Sequence, residues 1–207
     1  MDKEQYILNP TRASSLSYWK TNAFKMPSNI IVVNEKEFSD YFLTDYEQEL
    51  FFKLVYYPDA LKQYVLPGNI KFKKIDLEDF VTHINSCYES EGISLRELSS
   101  YRQRPVYDER LWICLYNTDQ DRIVATGIAE YDDDIKEGSL DWIQVSEEYR
   151  GQGFGSIIVY ELLNRLNGRA KFVTVSCRVD NQTKPELLYQ KCGFKDIAMW
   201  HVLRRKV

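Results

Sequence analysis

The sequence predicts an α+β fold built on a mixed, mostly antiparallel sheet, and three observations carry that prediction. Residues 111–116, 122–131 and 139–145 read as consecutive strands joined by the polar turns 117–121 and 132–138, which gives an antiparallel meander. A glycine loop and an amphipathic segment follow the third strand, and a helix in that place is a crossover that lays the next strand parallel to the one before it. That next strand, residues 171–179, alternates cleanly, with Val173, Val175, Cys177 and Val179 on one face and Phe172, Thr174, Ser176 and Arg178 on the other.

The elements follow in order. Residues 1–69 hold 13 of the 29 aromatic residues of this 207-residue chain, too much apolar surface to leave solvated. They are expected to form an aromatic-rich extension that packs on a main domain covering residues 70–207. Within the extension, residues 30–33 predict a strand, 35–42 a short helix, and 49–57 either a strand or a buried amphipathic segment. Pro58 and Pro67-Gly68 punctuate the passage onward. Residues 70–75 predict a strand. Asp76 then opens a helix that carries Phe80, Val81, Ile84 and Cys87 toward the core, with acidic residues favourably placed in its first turn. A second helix covers 94–101. After the crossover, Thr183-Lys-Pro-Glu186 has the form of a capping box, Gly193 stops the helix it starts, and residues 194–203 supply the closing strand or strands.

Composition narrows the function. A chain 44% hydrophobic and 28% charged is an ordinary globule, and a net charge of −4 disfavours a dedicated nucleic-acid binder. No apolar run approaches the roughly 18 to 20 residues that span a bilayer, and the first residues lack a signal peptide's layout, so a cytoplasmic protein without membrane contact is expected. The four cysteines are widely spaced and read as reduced thiols; with only two histidines, no metal site is expected.

The stretch with chemical content is residues 139–166. A strand ends at Val145, an acidic turn leads to Arg150-Gly-Gln-Gly-Phe-Gly155, and Val159, Leu162, Leu163 and Leu166 recur at helical spacing up to the stop at Asn167-Gly168. Glycines let consecutive N–H groups converge where a helix leaves its first donors unpaired and its dipole positive, so a phosphorylated ligand suits the loop. A Walker loop would need a lysine that is missing here. A dinucleotide fingerprint would need its third glycine one place later, with Asp180 only a loose match for its acidic residue. A tight turn without a ligand also fits the loop taken by itself.

Arg150-Gly-Gln-Gly-Phe-Gly155 after such a strand resembles the acyl-CoA pyrophosphate loop of the GNAT (general N-acetyltransferase) superfamily, whose pattern is Gln/Arg-x-x-Gly-x-Gly/Ala. A second block, Asn181 followed by Leu188-Tyr-Gln-Lys-Cys-Gly-Phe194, is similar to that superfamily's Asn…Leu-Tyr-x-Lys-x-Gly-Phe segment. The resemblance covers roughly residues 70–207. It implies a sheet whose central parallel pair splays into a V flanked by helices, with acetyl-CoA as acyl donor and a small-molecule or peptide amine as acceptor.

The resemblance also implies roles for residues. Ile143, Gln144 and Val145 would line the acetyl and pantetheine portion, and Arg150, Gly151, Gln152, Gly153, Phe154, Gly155 and Ser156 the pyrophosphate. Asn181 would hold the pantetheine arm, although it lies one residue further from the tyrosine than is usual in the family and equally suits a turn. Tyr189 matches the tyrosine that protonates the departing thiolate. For the base, Asp141 shares strand parity with Ile143 and Val145, and Glu130 is the second candidate. No histidine in the neighbourhood of Cys177 or Cys192 would activate an acyl-cysteine, so direct transfer is expected. Asp132-Asp-Asp134 could draw in a cationic amine, and Tyr18, Trp19 or Phe24 could line an acceptor pocket.

Overall fold

The computed structural model describes residues 1–88 and 92–206. Three short helices begin the chain, α1 (Lys3–Leu8), α2 (Pro10–Ala13) and α3 (Tyr18–Ala23), followed by β1 (Ile30–Asn34), β2 (Tyr46–Tyr56) and β3 (Ile70–Phe72). Next come α4 (Leu77–Cys87), α5 (Leu95–Tyr101) and the meander β4 (Trp112–Asn117), β5 (Arg122–Asp132) and β6 (Glu137–Val145). The crossover helix α6 (Phe154–Leu166), β7 (Phe172–Arg178), α7 (Pro185–Lys191) and β8 (Lys195–Arg205) complete it.

All eight strands form one sheet in the order β1-β8-β2-β7-β6-β5-β4-β3. Every neighbouring pair is antiparallel except β6 and β7. The predicted mixed sheet with one parallel pair is therefore present.

Burial explains the crossover. Helix α6 turns Ile158, Val159, Leu162, Leu163 and Leu166 into the core on one face of the sheet. Its close approach is allowed by Gly127 in β5, where a Cβ would stand 2.5 Å from Ile158 Cγ2. Gly168, at φ +74°, turns the chain out of the helix into β7. The β7 alternation holds: Val173, Val175 and Cys177 join the α6-side core, while Phe172 joins Tyr6, Val55 and Ile135 beneath the N-terminal helices. Helices α4 and α5 cover the remainder of that second face, Phe80, Ile84 and Leu98 clustering with Ile128 of β5. Both start as expected, α4 on the Asp76 side chain and α5 in a complete capping box between Ser94 and Glu97.

Three local expectations need correction. The segment expected to pack on a separate main domain contributes β2 to the interior of the sheet, paired with β7 on one side and β8 on the other, so residue 69 does not divide two cores. Residues 35–42 do not form a helix: a turn follows Asn34, and a 3-10 turn spans Asp40–Thr44, while Phe38 stacks on the His201 ring with centroids 3.7 Å apart. The capping box at Thr183 is also absent. The cap position of α7 is Lys184 in the left-handed region, and Thr183 instead donates its backbone N–H and hydroxyl to Asn181 Oδ1, an Asx turn.

Candidate active site

The site arises where the parallel pair stops pairing. β6 and β7 are in register only from Glu137–Phe172 to Leu140–Val175; beyond this β6 runs on to Val145 while β7 stays with β2, so the sheet opens into a V. A bulge in β6 accompanies the opening. The register with β5 shifts between Gly127 and Ala129, setting Asp141 and Trp142 together opposite Ile128.

That extra residue overturns the parity expected for Asp141. Ile143 and Val145 pack with the α6-side core, but Trp142 joins the core beneath α4 and α5, and Asp141 pairs with Lys20 of α3 on that same second face. Asp141 therefore lies across the sheet from Ile143 and Val145.

Along the open edge, the Ile143 carbonyl accepts a hydrogen bond from the Tyr88 hydroxyl at 3.3 Å, and the Val145 carbonyl accepts one from Arg150 Nε at 3.3 Å. Arg150 also donates from Nη2 to the Cys87 carbonyl, tying the loop to the end of α4. Gly151 and Gly153 hold φ of +75° and +88°, conformations that strain any other residue, and space is open where each would carry a Cβ. Gly153 is the N-cap of the 13-residue α6. With no side chain capping this end and no acid in its first turn, the first N–H groups face the cleft at the positive end of the helix. Gly155 admits α7: a Cβ there would stand 3.2 Å from Leu188 Cδ2.

Edge, loop and helix terminus line one cleft of about 450 Å³. It gathers Ile143, Gln144, Val145, Arg150, Gly151, Gly153, Phe154, Gly155, Ser156, Asn181 and Tyr189. Gln152 is the exception in the loop, its exposed side chain donating to the Glu148 carbonyl. The cleft also holds Cys87, Tyr88 and Lys191, which the sequence reading missed. Shape, free donors and nearby cations suit a CoA thioester.

Tyr189 sits at the inner end, 5% exposed and packed on Phe194. Burial pushes its phenol well above the ordinary value of 10, with Tyr88, Cys177, Cys192 and Asp141 adding to the effect. It stays protonated at neutral pH. Cys87 Sγ lies 3.6 Å from His83 Nε2 at the cleft wall, a pair that helical spacing on α4 would have flagged. Neither is primed for nucleophilic attack. Burial raises the Cys87 thiol and lowers His83 to about 4, and the imidazole is held by Thr126 Oγ1 at 2.8 Å and Ser146 Oγ at 2.9 Å.

The two candidate bases form a separate cluster across the sheet. Glu130, 3% exposed, accepts from Arg104 at 2.5 Å and from Trp19 Nε1 at 2.9 Å. Lys20 Nζ lies 3.0 Å from Asp141 and 3.7 Å from Glu130. Burial raises the Glu130 pKa against the pull of the two cations, and the carboxylates hold Lys20 above its usual range. Asp133 and Asp134 pair with Lys136 and Lys3, so the acidic hairpin tip is locally neutralised. Among the described residues no group of His, Cys, Asp and Glu could hold a metal ion, and no helix is long and apolar enough to cross a membrane.

Comparison with known proteins bears on a sheet opened at its one parallel pair over an uncapped helix terminus. Residues 107–196 match the acetyltransferase (GNAT) domain. The match is shorter than the resemblance read over 70–207. No curated protein matches the sequence.

Solved structures share the fold. A GCN5-related N-acetyltransferase from Sphaerobacter thermophilus superposes with a TM-score of 0.65 at 19% identity, covering 87% of this chain and 61% of that one. One from Kribbella flavida gives 0.58 at 13% identity, covering 86% and 68%. A Drosophila protein gives 0.58 at 16% identity, covering 76% and 52%. The chain thus spans between half and two thirds of the first and last of these relatives.

Proposed function

We propose that this protein is an acetyl-CoA-dependent N-acetyltransferase acting on a primary amine by direct attack in a ternary complex. The observation that carries this reading is the single cleft joining the open β6 edge, the uncapped α6 terminus and the buried Tyr189. N–H groups from Arg150 to Ser156 would hold the pyrophosphate and Lys191 would add charge, while Ile143, Val145 and Asn181 would line the pantetheine arm.

An amine is protonated at pH 7, so it gives up a proton first; Asp141, the β6 residue just past the last position paired with β7 and on the face across from the cleft, would take it from an amine entering on that side, with Glu130 behind. The amine nitrogen then bonds to the thioester carbon, the carbon–sulfur bond breaks as the sulfur takes the Tyr189 proton, and the amide nitrogen sheds its second proton to solvent, from which the Tyr189 phenol is restored. Positioning and N–H donors at the carbonyl oxygen supply the remainder of the rate. Trp19 and Phe24, at helix α3, belong to this reading as part of the acceptor-side wall, and four free thiols suit a reducing cytoplasm.

One observation favours a second reading, a non-catalytic acyl-CoA-binding protein of the same fold: Asp141 and Glu130 are already paired with Lys20 and Arg104. Thiol release from acetyl-CoA across a panel of primary amines separates the two. Amine-dependent release that is lost in Tyr189→Phe supports catalysis; tight acetyl-CoA binding without release for any amine supports the second reading.

A further inference from the structure

We infer that the cavity between α3 and α5, across the sheet from the acyl-CoA cleft, is the acceptor site, and that it takes a primary amine carrying an aromatic body. This inference rests on the acetyltransferase reading above. The cavity is an open groove of about 570 Å³ in which the flat faces of Trp19, Phe24, Tyr101 and Trp142 stand beside the polar Ser100 and Gln103. Phe24 is 54% exposed beside Trp19, at a centroid distance of 5.9 Å, a ring left open to solvent at the rim. Arg104 does not make the cavity polar. Its guanidinium lies 3.1 Å from the Tyr101 ring centroid and is neutralised by Glu130.

The cluster beside the cavity shows what kind of nitrogen it receives. Lys20 places a primary ammonium between Asp141 and Glu130, 5.9 Å from the Trp19 ring centroid. Two carboxylates and an indole form an ammonium site, and here the chain's own lysine fills it. An acceptor amine exchanging with Lys20 at Asp141 would reach the opening of the V. One chain of contacts connects the faces: Trp142 packs against Tyr88, whose hydroxyl bonds the Ile143 carbonyl. The four charges of the cluster balance, and Glu97 is committed to capping α5, so there is little surplus charge to draw in a polyamine. Ring walls do the selecting.

In the transfer itself Asp141 takes one proton from the acceptor's ammonium, the freed nitrogen bonds to the acetyl carbon, the carbon–sulfur bond breaks as the sulfur takes the Tyr189 proton, and the second proton lost by the new amide nitrogen goes to solvent, from which the Tyr189 phenolate is reprotonated. The test compares 2-phenylethylamine, n-butylamine and spermidine as acceptors in thiol release, with acetyl-CoA affinity measured in parallel by calorimetry. A preference for 2-phenylethylamine of about tenfold or more in kcat/KM is expected, since ring burial adds to the apolar contact. Phe24→Ala, at an exposed position, should erase most of that preference by raising KM for 2-phenylethylamine far more than for n-butylamine, with acetyl-CoA affinity unchanged. With acetyl-CoA bound, equal or better use of n-butylamine or spermidine overturns the inference, as does indifference to Phe24→Ala. Loss of acetyl-CoA binding is a different failure, that of the donor reading. Calorimetry of 2-phenylethylamine by itself then still decides the cavity: binding weakened by Phe24→Ala supports it, and no binding at millimolar concentration overturns it.

Discussion

Replacing Tyr189 with phenylalanine removes one oxygen from the inner end of the cleft and little else. The ring packs within the α6-side core and against Phe194, and both contacts survive the change. Its hydroxyl has no hydrogen-bond partner among the described residues, so the folded state loses none, and stability should shift by less than about 0.5 kcal/mol. The rate should respond far more. Burial keeps the phenol protonated well beyond pH 10, so it can donate at every working pH. A positioned general acid contributes about 10²- to 10⁴-fold, or roughly 3 to 5 kcal/mol of barrier. Steady-state thiol release with a saturating amine should therefore show kcat reduced at least about a hundredfold, with KM for acetyl-CoA unchanged. Because the phenol does not titrate in the range, the deficit should be the same at pH 6.5 and pH 9. A kcat within about threefold of the parent would refute the assignment, since proton donation would then come from elsewhere.

Three further outcomes follow from the same geometry. Asp141→Asn should lower amine turnover by about a hundredfold while leaving acetyl-CoA affinity intact; calorimetry beside thiol release separates this from a folding defect. Gly127→Ala puts a methyl group 2.5 Å from Ile158 Cγ2 under α6 and should cost about 1 to 3 kcal/mol in urea unfolding. His83 is neutral when folded, with its pKa lowered to about 4 by burial, whereas the unfolded chain protonates it near 6.5. The unfolded state binds more protons between those values, so stability falls with falling pH in that window. The parent should lose about 2 kcal/mol more than His83→Gln between pH 7 and pH 5, read by chemical denaturation.

Much of the site was readable because its signals are local. The glycines at 151 and 153, the apolar spacing along α6 and the Tyr189 block each lie within a few residues of the feature they make. What escaped the sequence depends on distant partners or on one inserted residue. Residues 49–57 read as either a strand or a buried amphipathic segment without revealing a place between β7 and β8, since strand pairing across more than 100 residues leaves no local trace. The β6 bulge keeps an apolar pattern on both sides while moving Asp141 to the other face, so simple alternation misplaced it. Tyr88 reaches Ile143 from 55 residues away, and Lys20 reaches Asp141 from 121. The Thr183 segment had the letters of a capping box, but Asn181 captured Thr183 first.

The account stands or falls on the donor site, and calorimetric titration of acetyl-CoA, CoA, ATP and NAD into the parent protein and Gly153→Glu tests it most directly. Gly153 has open space for a side chain, so the variant pays chiefly a left-handed backbone strain of about 1 to 2 kcal/mol and sets a carboxylate at the α6 terminus where the phosphates belong. The predicted result is binding of acetyl-CoA and CoA by the parent, with ATP and NAD far weaker, and affinity reduced at least about a hundredfold in the folded variant. No binding of CoA compounds by the parent, or binding untouched by Gly153→Glu, would contradict it.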